Sequence, residues 1–115
     1  MIGLVEEWVD EGETSRDRPI APLHLHRSED EAWYVLEGAL GFRVGDDEVE
    51  AEVGRAVIVS AGTPHSYWNA ADSRARYVIV MGPLTAGLVE AIHAMGPFDR
   101  PRLAALFEEH DSELL

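Results

Sequence analysis

The sequence predicts an all-β domain of short antiparallel strands followed by C-terminal helices. Up to Gly82, short runs of β-branched and aromatic residues alternate with Gly, Pro and Asp, a pattern typical of many short strands joined by turns. After Pro83 the spacing of apolar residues lengthens from two to about 3.6, the helical period. So many strands in a chain of 115 residues indicate a sandwich or a barrel.

Turn residues separate the predicted strands from one another. The eight predicted strands span residues 2–9, 20–26, 31–37, 39–44, 48–53, 56–60, 65–69 and 76–81. Gly38 joins two strands tightly, and Gly45 with Asp46 and Asp47 predicts a hairpin, because these residue types tolerate the backbone angles of tight turns. Consecutive hairpins imply antiparallel pairing.

Two helices are predicted after the strands. An apolar stripe at helical spacing predicts the first over residues 85–95, and Gly96 ends it. Asp99 is a suitable N-cap with Pro101 in the first turn, so a second helix should run to about His110. Because such short helices need tertiary packing, we expect them against the outside of the barrel or a second subunit.

Length and composition limit the organisation and the partners. We expect one domain over residues 1–115, with a barrel over about 1–82 and a helical segment over about 83–115. The net charge of −13 repels phosphate backbones and anionic lipids, so we expect neither a nucleic-acid nor a membrane partner. Neither a secretion signal nor a membrane-spanning apolar run is recognisable, which favours a cytoplasmic location.

Three histidines and one glutamate form a candidate metal site. His24 and His26 lie two residues apart on a predicted strand, so their side chains share one face. Glu31 opens the next strand, and a carboxylate facing an apolar interior needs a cation or hydrogen-bond donors. A tight Gly and Pro turn then fixes the direction of His65, which can join the cluster. The chain contains no cysteine, so any metal must be held by imidazole and carboxylate.

These two segments resemble the paired motifs of the cupin superfamily, over residues 20–81. The first motif is HxH, four residues, E, six residues, G, and it is met by His24, His26, Glu31 and Gly38. The second is G, five residues, P-x-G, two residues, H, three residues, N, and it is met by Gly54, Gly62, His65 and Asn69. Ser60 replaces the motif proline and Arg18 the first motif glycine. Both positions shape loops, so all four ligands remain.

The resemblance implies a double-stranded β-helix, or jelly-roll, cupin barrel with a divalent transition metal bound by His24, His26, Glu31 and His65. Mn, Fe, Co, Ni, Cu and Zn all suit this ligand set, and affinity rank alone does not choose among them. Four protein ligands on an octahedral ion leave two positions for water, dioxygen or a substrate. The alternative is a barrel without a metal, in which the histidines hydrogen-bond to Glu31 and its neighbours.

The chain is similar to small quercetin-dioxygenase-like cupins, including its two C-terminal helices. This resemblance implies a metal-dependent enzyme for a small organic molecule, with oxygen insertion as the leading reaction and Glu31 as a candidate catalytic base. Cupins with the same ligands also resemble isomerases, lyases and decarboxylases, and a non-catalytic binding or sensing module is a further alternative. The resemblance also implies a homodimer, for which the predicted strand over residues 2–9 offers an exposed edge.

Other polar and aromatic residues carry weaker predictions. Five strand aromatics could line a pocket, although barrel core is the favoured role: Trp33, Phe42, Tyr67, Trp68 and Tyr77. Tyr34 should face away from Glu31 by alternation. Arg43 and Arg76 could bind a substrate carboxylate if they pointed inward, but a solvated outer face is the favoured position. His93 and His110 are expected on the helices, away from the cluster, and the acidic pair at 29–30 in an exposed turn.

Overall fold

The computed structural model describes residues 4–97 and 99–115. The elements of this part are β1 (Leu4–Asp10), β2 (Ala21–His26), β3 (Glu31–Glu37), β4 (Ala39–Val44), β5 (Asp47–Glu52), β6 (Ala56–Val59), β7 (His65–Asn69), β8 (Ala75–Met81), α1 (Pro83–Met95), α2 (Arg100–Glu109) and β9 (Ser112–Leu114). Residues 2 and 3 of the first predicted strand lie outside the described residues. None of the helices within the described ranges has the length and apolarity to cross a membrane.

The strands form two antiparallel sheets that face each other. The four-stranded sheet has the order β1-β8-β3-β6, and the five-stranded sheet has the order β5-β4-β7-β2-β9. Strands distant in sequence are therefore neighbours in space, as in a jelly roll. The predicted fold class, an all-β jelly roll with C-terminal helices, is confirmed.

The core lies between the inner faces of the two sheets. Along β3, alternation buries Glu31, Trp33 and Val35 and leaves Tyr34 45% exposed on the outer face, as the period of two requires. Trp33 meets Phe42 of the opposite sheet edge to face, with ring centroids 5.1 Å apart. Aromatic burial of this kind supplies much of the stabilisation of a small core.

One motif glycine is explained by the turn between β3 and β4. Gly38 has φ +74°, and a Cβ atom there would lie 2.6 Å from the carbonyl oxygen of Arg74. Any other residue would combine a strained backbone with a steric clash. The sequence prediction of a tight turn at this position is therefore matched by a close chain approach.

The C-terminal segment differs from the predictions in two ways. Strand β9 was not predicted, because three residues carry no recognisable alternation, yet it pairs with the edge of β2. The helices also do not simply coat the outside of the barrel. Leu88 of α1 packs with Leu103 and Phe107 of α2, and the Phe107 ring lies 5.3 Å from the ring of His24. The helix pair therefore covers the end of the sheets where the histidines lie.

Helix α1 is attached to the β2–β3 loop by Glu29. The Glu29 carboxylate accepts hydrogen bonds from the backbone N–H groups of Leu84 (3.0 Å) and Thr85 (2.7 Å) and from the Thr85 hydroxyl (2.8 Å). Gly82 leaves room for this contact, because a Cβ atom there would lie 2.4 Å from the carboxyl carbon. Glu29 lies in the loop between strands, as predicted, but it is half-buried rather than exposed. It caps a helix whose own N-cap residue has no side chain.

Candidate metal centre

Four buried side chains from the two facing sheets meet in the interior. His24 and His26 come from β2 and His65 from the start of β7, which are neighbours in the five-stranded sheet, whereas Glu31 comes from β3 of the other sheet. Their exposed fractions are 6%, 4%, 1% and 6% in that order. One ligand atom from each residue lies within 4.8 Å of all the others. The structure thus brings together all four side chains singled out in the sequence.

A bulge in β2 sets the direction of its two histidines. Ala21 lies opposite Tyr67 and His24 opposite His65, so three residue steps on β2 match two steps on β7. A bulge of this kind re-aims the side chains that follow it. Pro22 occupies the bulge, where a residue without a backbone N–H is tolerated. Beyond the bulge, alternation places His24 and His26 on the same inner face.

The turn before β7 fixes the position of His65. Gly62 has φ +80°, a conformation that favours glycine, and its N–H donates to the carbonyl oxygen of His26 at 2.6 Å. The N–H of Thr63 donates to the carbonyl oxygen of Ser60 at 3.2 Å. The loop therefore forms its turn with serine at the motif proline position, and it ties the start of β7 to the end of β2.

Backbone carbonyls hold two of the three imidazoles by their outer nitrogens. Nδ1 of His24 lies 2.6 Å from the carbonyl oxygen of Pro22, and Nδ1 of His65 lies 2.9 Å from that of Thr63. Because a carbonyl oxygen can only accept, each Nδ1 carries the proton. In the neutral imidazole, Nε2 then has a free lone pair, and both Nε2 atoms face the cluster.

The third imidazole is held by Ser112 of β9, a residue that the sequence analysis missed. Ser112 is fully buried, and its Oγ lies 2.7 Å from Nδ1 of His26. The same hydroxyl donates to the carbonyl oxygen of His110 at 3.1 Å, so it accepts from His26. A lone serine in a short C-terminal segment gives no motif signal, and only the pairing of β9 with β2 reveals it.

The geometry of the cluster fits a metal ion. Nε2 of His26 lies 3.2 Å from Nε2 of His24 and 3.0 Å from Oε1 of Glu31, and Nε2 of His65 lies 3.2 Å from the same oxygen. With every Nδ1 proton already donated outward, lone pairs and a carboxylate face each other, and either a metal ion or a proton on Nε2 can bridge them. Donors bound at right angles to one ion at about 2.1 Å are about 3.0 Å apart.

The electrostatics of the site favour metal-binding protonation states. Burial, reinforced by the neighbouring His65, lowers the pKa of His24 to about 3. Burial alone would raise the pKa of Glu31, but its contacts with His26 and His65 lower that pKa to about 2. At neutral pH, His24 is therefore neutral and Glu31 is ionised. Metal ligands of these types bind in these forms.

A cavity of about 320 Å³ adjoins the cluster. His24, His26 and Glu31 contribute to its lining, together with Trp33, Tyr67, Tyr77 and apolar residues of both helices. Three of the five predicted aromatic residues thus serve as core and as cavity wall. His93 also lines the cavity, and its ring centroid lies 5.0 Å from that of Trp8 at an interplanar angle of 59°. It is therefore nearer the site than predicted, although it is outside the cluster.

The remaining candidate residues have structural roles. Asn69 donates through Nδ2 to the Asp10 carboxylate (3.0 Å) and to the Ser73 carbonyl (2.7 Å), so this motif residue ties the β7–β8 turn to β1.

Arg76 contacts the carboxylates of Glu7 and Glu37 on the outer face. Arg43 is exposed and donates to the carbonyl of Gly45. His110 donates to the carbonyl of Leu106, away from the cluster.

Comparisons with known proteins agree with this architecture. The family described as Cupin domain matches residues 16–81. The tetracenomycin polyketide synthase protein TcmJ of Streptomyces glaucescens is 36% identical over 61 residues, which are 53% of this chain and 41% of that protein. The chain therefore spans about two fifths of the length of this curated relative.

Solved structures of low sequence identity share the fold. A protein of Thermus thermophilus is 29% identical with a TM-score of 0.56, over 67% of this chain and 69% of that chain. A sugar phosphate isomerase from a cupin superfamily, of Silicibacter pomeroyi, is 26% identical with a TM-score of 0.56, over 68% of this chain and 48% of that chain.

Proposed function

The chain belongs to the Cupin domain family, and from that premise we propose that it is a metal-dependent enzyme for a small organic molecule, with dioxygenase-type oxygen insertion as its reaction. One observation carries the proposal. Three imidazole lone pairs and the Glu31 carboxylate converge beside a cavity large enough for a small ligand. Sites of this construction are typical of metal centres with an adjoining substrate pocket.

His24, His26, Glu31 and His65 would hold the metal, a divalent ion of Mn, Fe, Co, Ni, Cu or Zn. When bound, a redox-active ion of this set supplies Lewis acidity and reactivity toward dioxygen. The protein orients the three imidazole rings, because the Nδ1 atom of each ring donates to its own hydrogen-bond acceptor. Helices α1 and α2 line one side of the cavity with apolar side chains.

The scarcity of acid–base groups supports oxygen chemistry over isomerisation or lyase chemistry. Among the described cavity-lining residues, Glu31 is the only carboxylate, and there is no amine or guanidinium group. Burial raises the pKa of Tyr67, and it raises that of Tyr77 to about 12, so both hydroxyls stay protonated. Outside the candidate ligands, His93 is a further acid–base side chain of the described lining, so Glu31 and His93 are the candidate bases. Oxygen insertion depends mainly on the metal, so it needs fewer acid–base side chains than isomerisation or elimination.

Metal content is the first test. We expect protein purified without chelator to contain a stoichiometric divalent transition metal, and His24→Ala to lose it. His93→Ala is the matched control, because this histidine lies outside the cluster, and it should retain the metal. Metal contents that do not differ between the two variants would contradict the proposed ligand set.

The reaction itself is tested by oxygen consumption. Metal-loaded protein should take up dioxygen in the presence of a substrate from a broad panel of phenols and diketones, and His65→Ala should abolish the uptake. Product formation without oxygen uptake would instead favour an isomerase or a lyase. No turnover across the panel would count against the enzyme proposal.

A non-catalytic binding or sensing cupin is the second candidate. The observation that favours it is the largely apolar cavity, which suits ligand capture as well as catalysis. Ligand-induced thermal stabilisation without product formation would identify this function.

A homodimer is also part of the proposal. Strand β1 is an edge of the four-stranded sheet, and the outer face of that sheet carries exposed apolar side chains, among them Val5 and Ile58, which are 68% and 71% exposed. Contiguous exposed apolar surface is typical of protein interfaces. A second copy of the chain would cover it with the same surface in a two-fold arrangement.

A further inference from the structure

The described side chains that line the cavity include no arginine or lysine, so a bound metal would be the principal cation beside it. The nine basic residues of the chain are all arginines, all nine lie in the described ranges, and none of them lines the cavity. Arg27, for example, pairs with Glu108 and Arg16 with Glu48 on the surface. A phosphate or carboxylate buried there would lack the bidentate partner that such groups usually have in proteins, in a chain of net charge −13.

The cavity wall instead offers neutral hydrogen-bond donors. The indole nitrogens of Trp8 and Trp33 are buried without a hydrogen bond of good geometry, although the Trp33 indole approaches the Tyr67 hydroxyl. Both tryptophan side chains line the cavity. The Tyr67 and Tyr77 hydroxyls lie 3.1 Å apart and share one hydrogen bond. Only one of their two protons is used in it, and the described residues provide no acceptor for the other. Buried donors without partners are costly, so a ligand oxygen would satisfy them.

We infer that the cavity takes a small and largely apolar ligand that carries a carbonyl or hydroxyl oxygen, and that it accepts a phosphate or carboxylate group only where that group contacts the metal. The volume of about 320 Å³ is near the lower end of the usual range of about 300–1,000 Å³ for ligand pockets, which suits one or two rings. This inference rests on the proposed function and names the substrate class of the same site.

The inference separates this chain from one of the proteins that it resembles in fold. A sugar phosphate isomerase, by its description, acts on a ligand that carries a phosphate group. In this chain, Leu88, Val89 and Ile92 of α1 and Leu103 and Phe107 of α2 stand on the helical side of the cavity. These side chains favour a hydrocarbon surface, because transfer of apolar area from water is favourable.

A series of naphthalene derivatives tests the inference. Binding of 2-naphthol, 2-naphthoate and 2-naphthyl phosphate is measured by calorimetry with metal-free and metal-loaded protein. In metal-free protein, we expect 2-naphthol to bind at least about ten-fold more tightly than either anion, because a buried unpaired charge is strongly unfavourable. In metal-loaded protein, the affinity for the two anions should rise relative to that for 2-naphthol, because the metal is the principal cation beside the cavity. A smaller preference for 2-naphthol in metal-free protein, or no binding of 2-naphthol, would overturn the inference.

The role of the indole donor is tested with Trp33→Phe, which keeps an aromatic ring and removes the N–H. We expect the affinity for 2-naphthol to fall about three- to ten-fold, with little change for naphthalene, which has no acceptor. Tyr34→Phe is the matched control, because Tyr34 lies on the same strand but faces outward, and it should change neither affinity. Equal losses for both ligands would overturn the hydrogen-bond assignment. If Trp33→Phe does not fold, the ligand series on the unmodified chain still decides the substrate class.

Failure of this inference is distinguishable from failure of the proposed function. Absence of metal or of oxygen uptake would remove the enzyme proposal and leave the preference of metal-free protein for 2-naphthol intact. Conversely, a protein that is active when metal-loaded, but that binds 2-naphthyl phosphate as tightly as 2-naphthol when metal-free, would retain the proposed metal chemistry and lose the inferred substrate class.

Discussion

At the scale of single residues, the outer nitrogens of the histidines prepare the site. Each Nδ1 atom has its own acceptor, two of which are backbone carbonyls and one the hydroxyl of Ser112. This pattern selects one tautomer for each neutral ring and directs all three Nε2 lone pairs to the same place. Partners of this kind orient ligands and increase their basicity.

Replacement of Ser112 by alanine tests this orientation. The change removes the acceptor of His26 Nδ1 and leaves all four candidate ligands in place. We expect metal affinity to fall about ten- to a hundred-fold, the usual effect of losing such a partner. Competition titration with a chromogenic chelator measures the affinity, and ¹⁵N chemical shifts report the tautomer of His26.

A serine that is buried elsewhere serves as the control for that variant. Ser66 is 8% exposed and lies on β7 beside His65, so Ser66→Ala also removes a hydroxyl from the interior. It should preserve the metal affinity and the His26 tautomer. If both serine variants weaken metal binding equally, the effect is one of stability rather than orientation.

Acid should destabilise the metal-free protein. The folded-state pKa of His24 is about 3, below its ordinary value of 6.5. As the pH falls below 6.5, His24 therefore becomes protonated in the unfolded chain while it stays neutral in the folded chain. Glu31 has a folded-state pKa of about 2 against 4.5, and its stabilising contribution is lost between those values. The free energy of unfolding should therefore decrease from about pH 6.5 downward.

Urea denaturation of chelator-treated protein at several pH values measures this decrease. His24→Gln should make the free energy of unfolding less dependent on pH between pH 6.5 and 4.5, where Glu31 is still ionised. A wild-type stability that does not change between pH 7 and 4 would be incompatible with the buried, neutral state of His24.

At the scale of elements, the two helices and β9 connect the C-terminal segment to the site. Helix α1 is attached through Glu29, α2 places Phe107 against His24, and β9 supplies Ser112. The segment beyond the family match at residues 16–81 therefore contributes to both the cavity and the cluster. The barrel alone would leave this end of the sheets open.

The attachment of α1 is tested with Glu29→Ala. Two backbone donors and the Thr85 hydroxyl lose their acceptor, so we expect a loss of about 1–2 kcal/mol in the free energy of unfolding. Hydrogen exchange at the amides of Leu84 and Thr85 should accelerate. Glu90→Ala, which removes an exposed carboxylate from the same helix, should change neither measurement. Unchanged exchange in Glu29→Ala would show that the cap does not hold the helix.

At the scale of the whole molecule, the outer face of the four-stranded sheet is the main exposed apolar surface of the strands. Val5 lies opposite Val80, and Ala32 lies opposite both Val80 and Ile58, so these four residues form a row across all four strands. Two copies of a chain with high net negative charge repel each other. They can approach with least repulsion where the surface is uncharged, and this apolar row is such a surface.

The proposed dimer is tested with Ile58→Asp. A buried, unpaired carboxylate at the interface would be strongly unfavourable, so light scattering should change from a dimer mass to a monomer mass. Val49→Asp is the control, because Val49 is 44% exposed on the other sheet, and it should remain dimeric. A monomeric wild-type protein would contradict the proposal.

The sequence by itself determined the strand pattern and the identity of the clustered side chains. Period-two alternation places His24 and His26 on one face, and turn residues mark the ends of the strands, because these signals are local and depend only on neighbouring residues. The resemblance to the cupin motifs added Glu31 and His65 to the same set, and the structure brings all four together.

Only the tertiary structure decided the surroundings of that cluster. The bulge at Pro22, the contact of Ser112 with His26 and the cap that Glu29 provides for α1 all join residues through the fold, and two of the three span more than 50 positions in sequence. Such contacts leave no periodic signal in the chain. They arise because a strand edge, a helix end and an imidazole nitrogen each need a hydrogen-bond partner once they are buried, and packing determines which residue provides it.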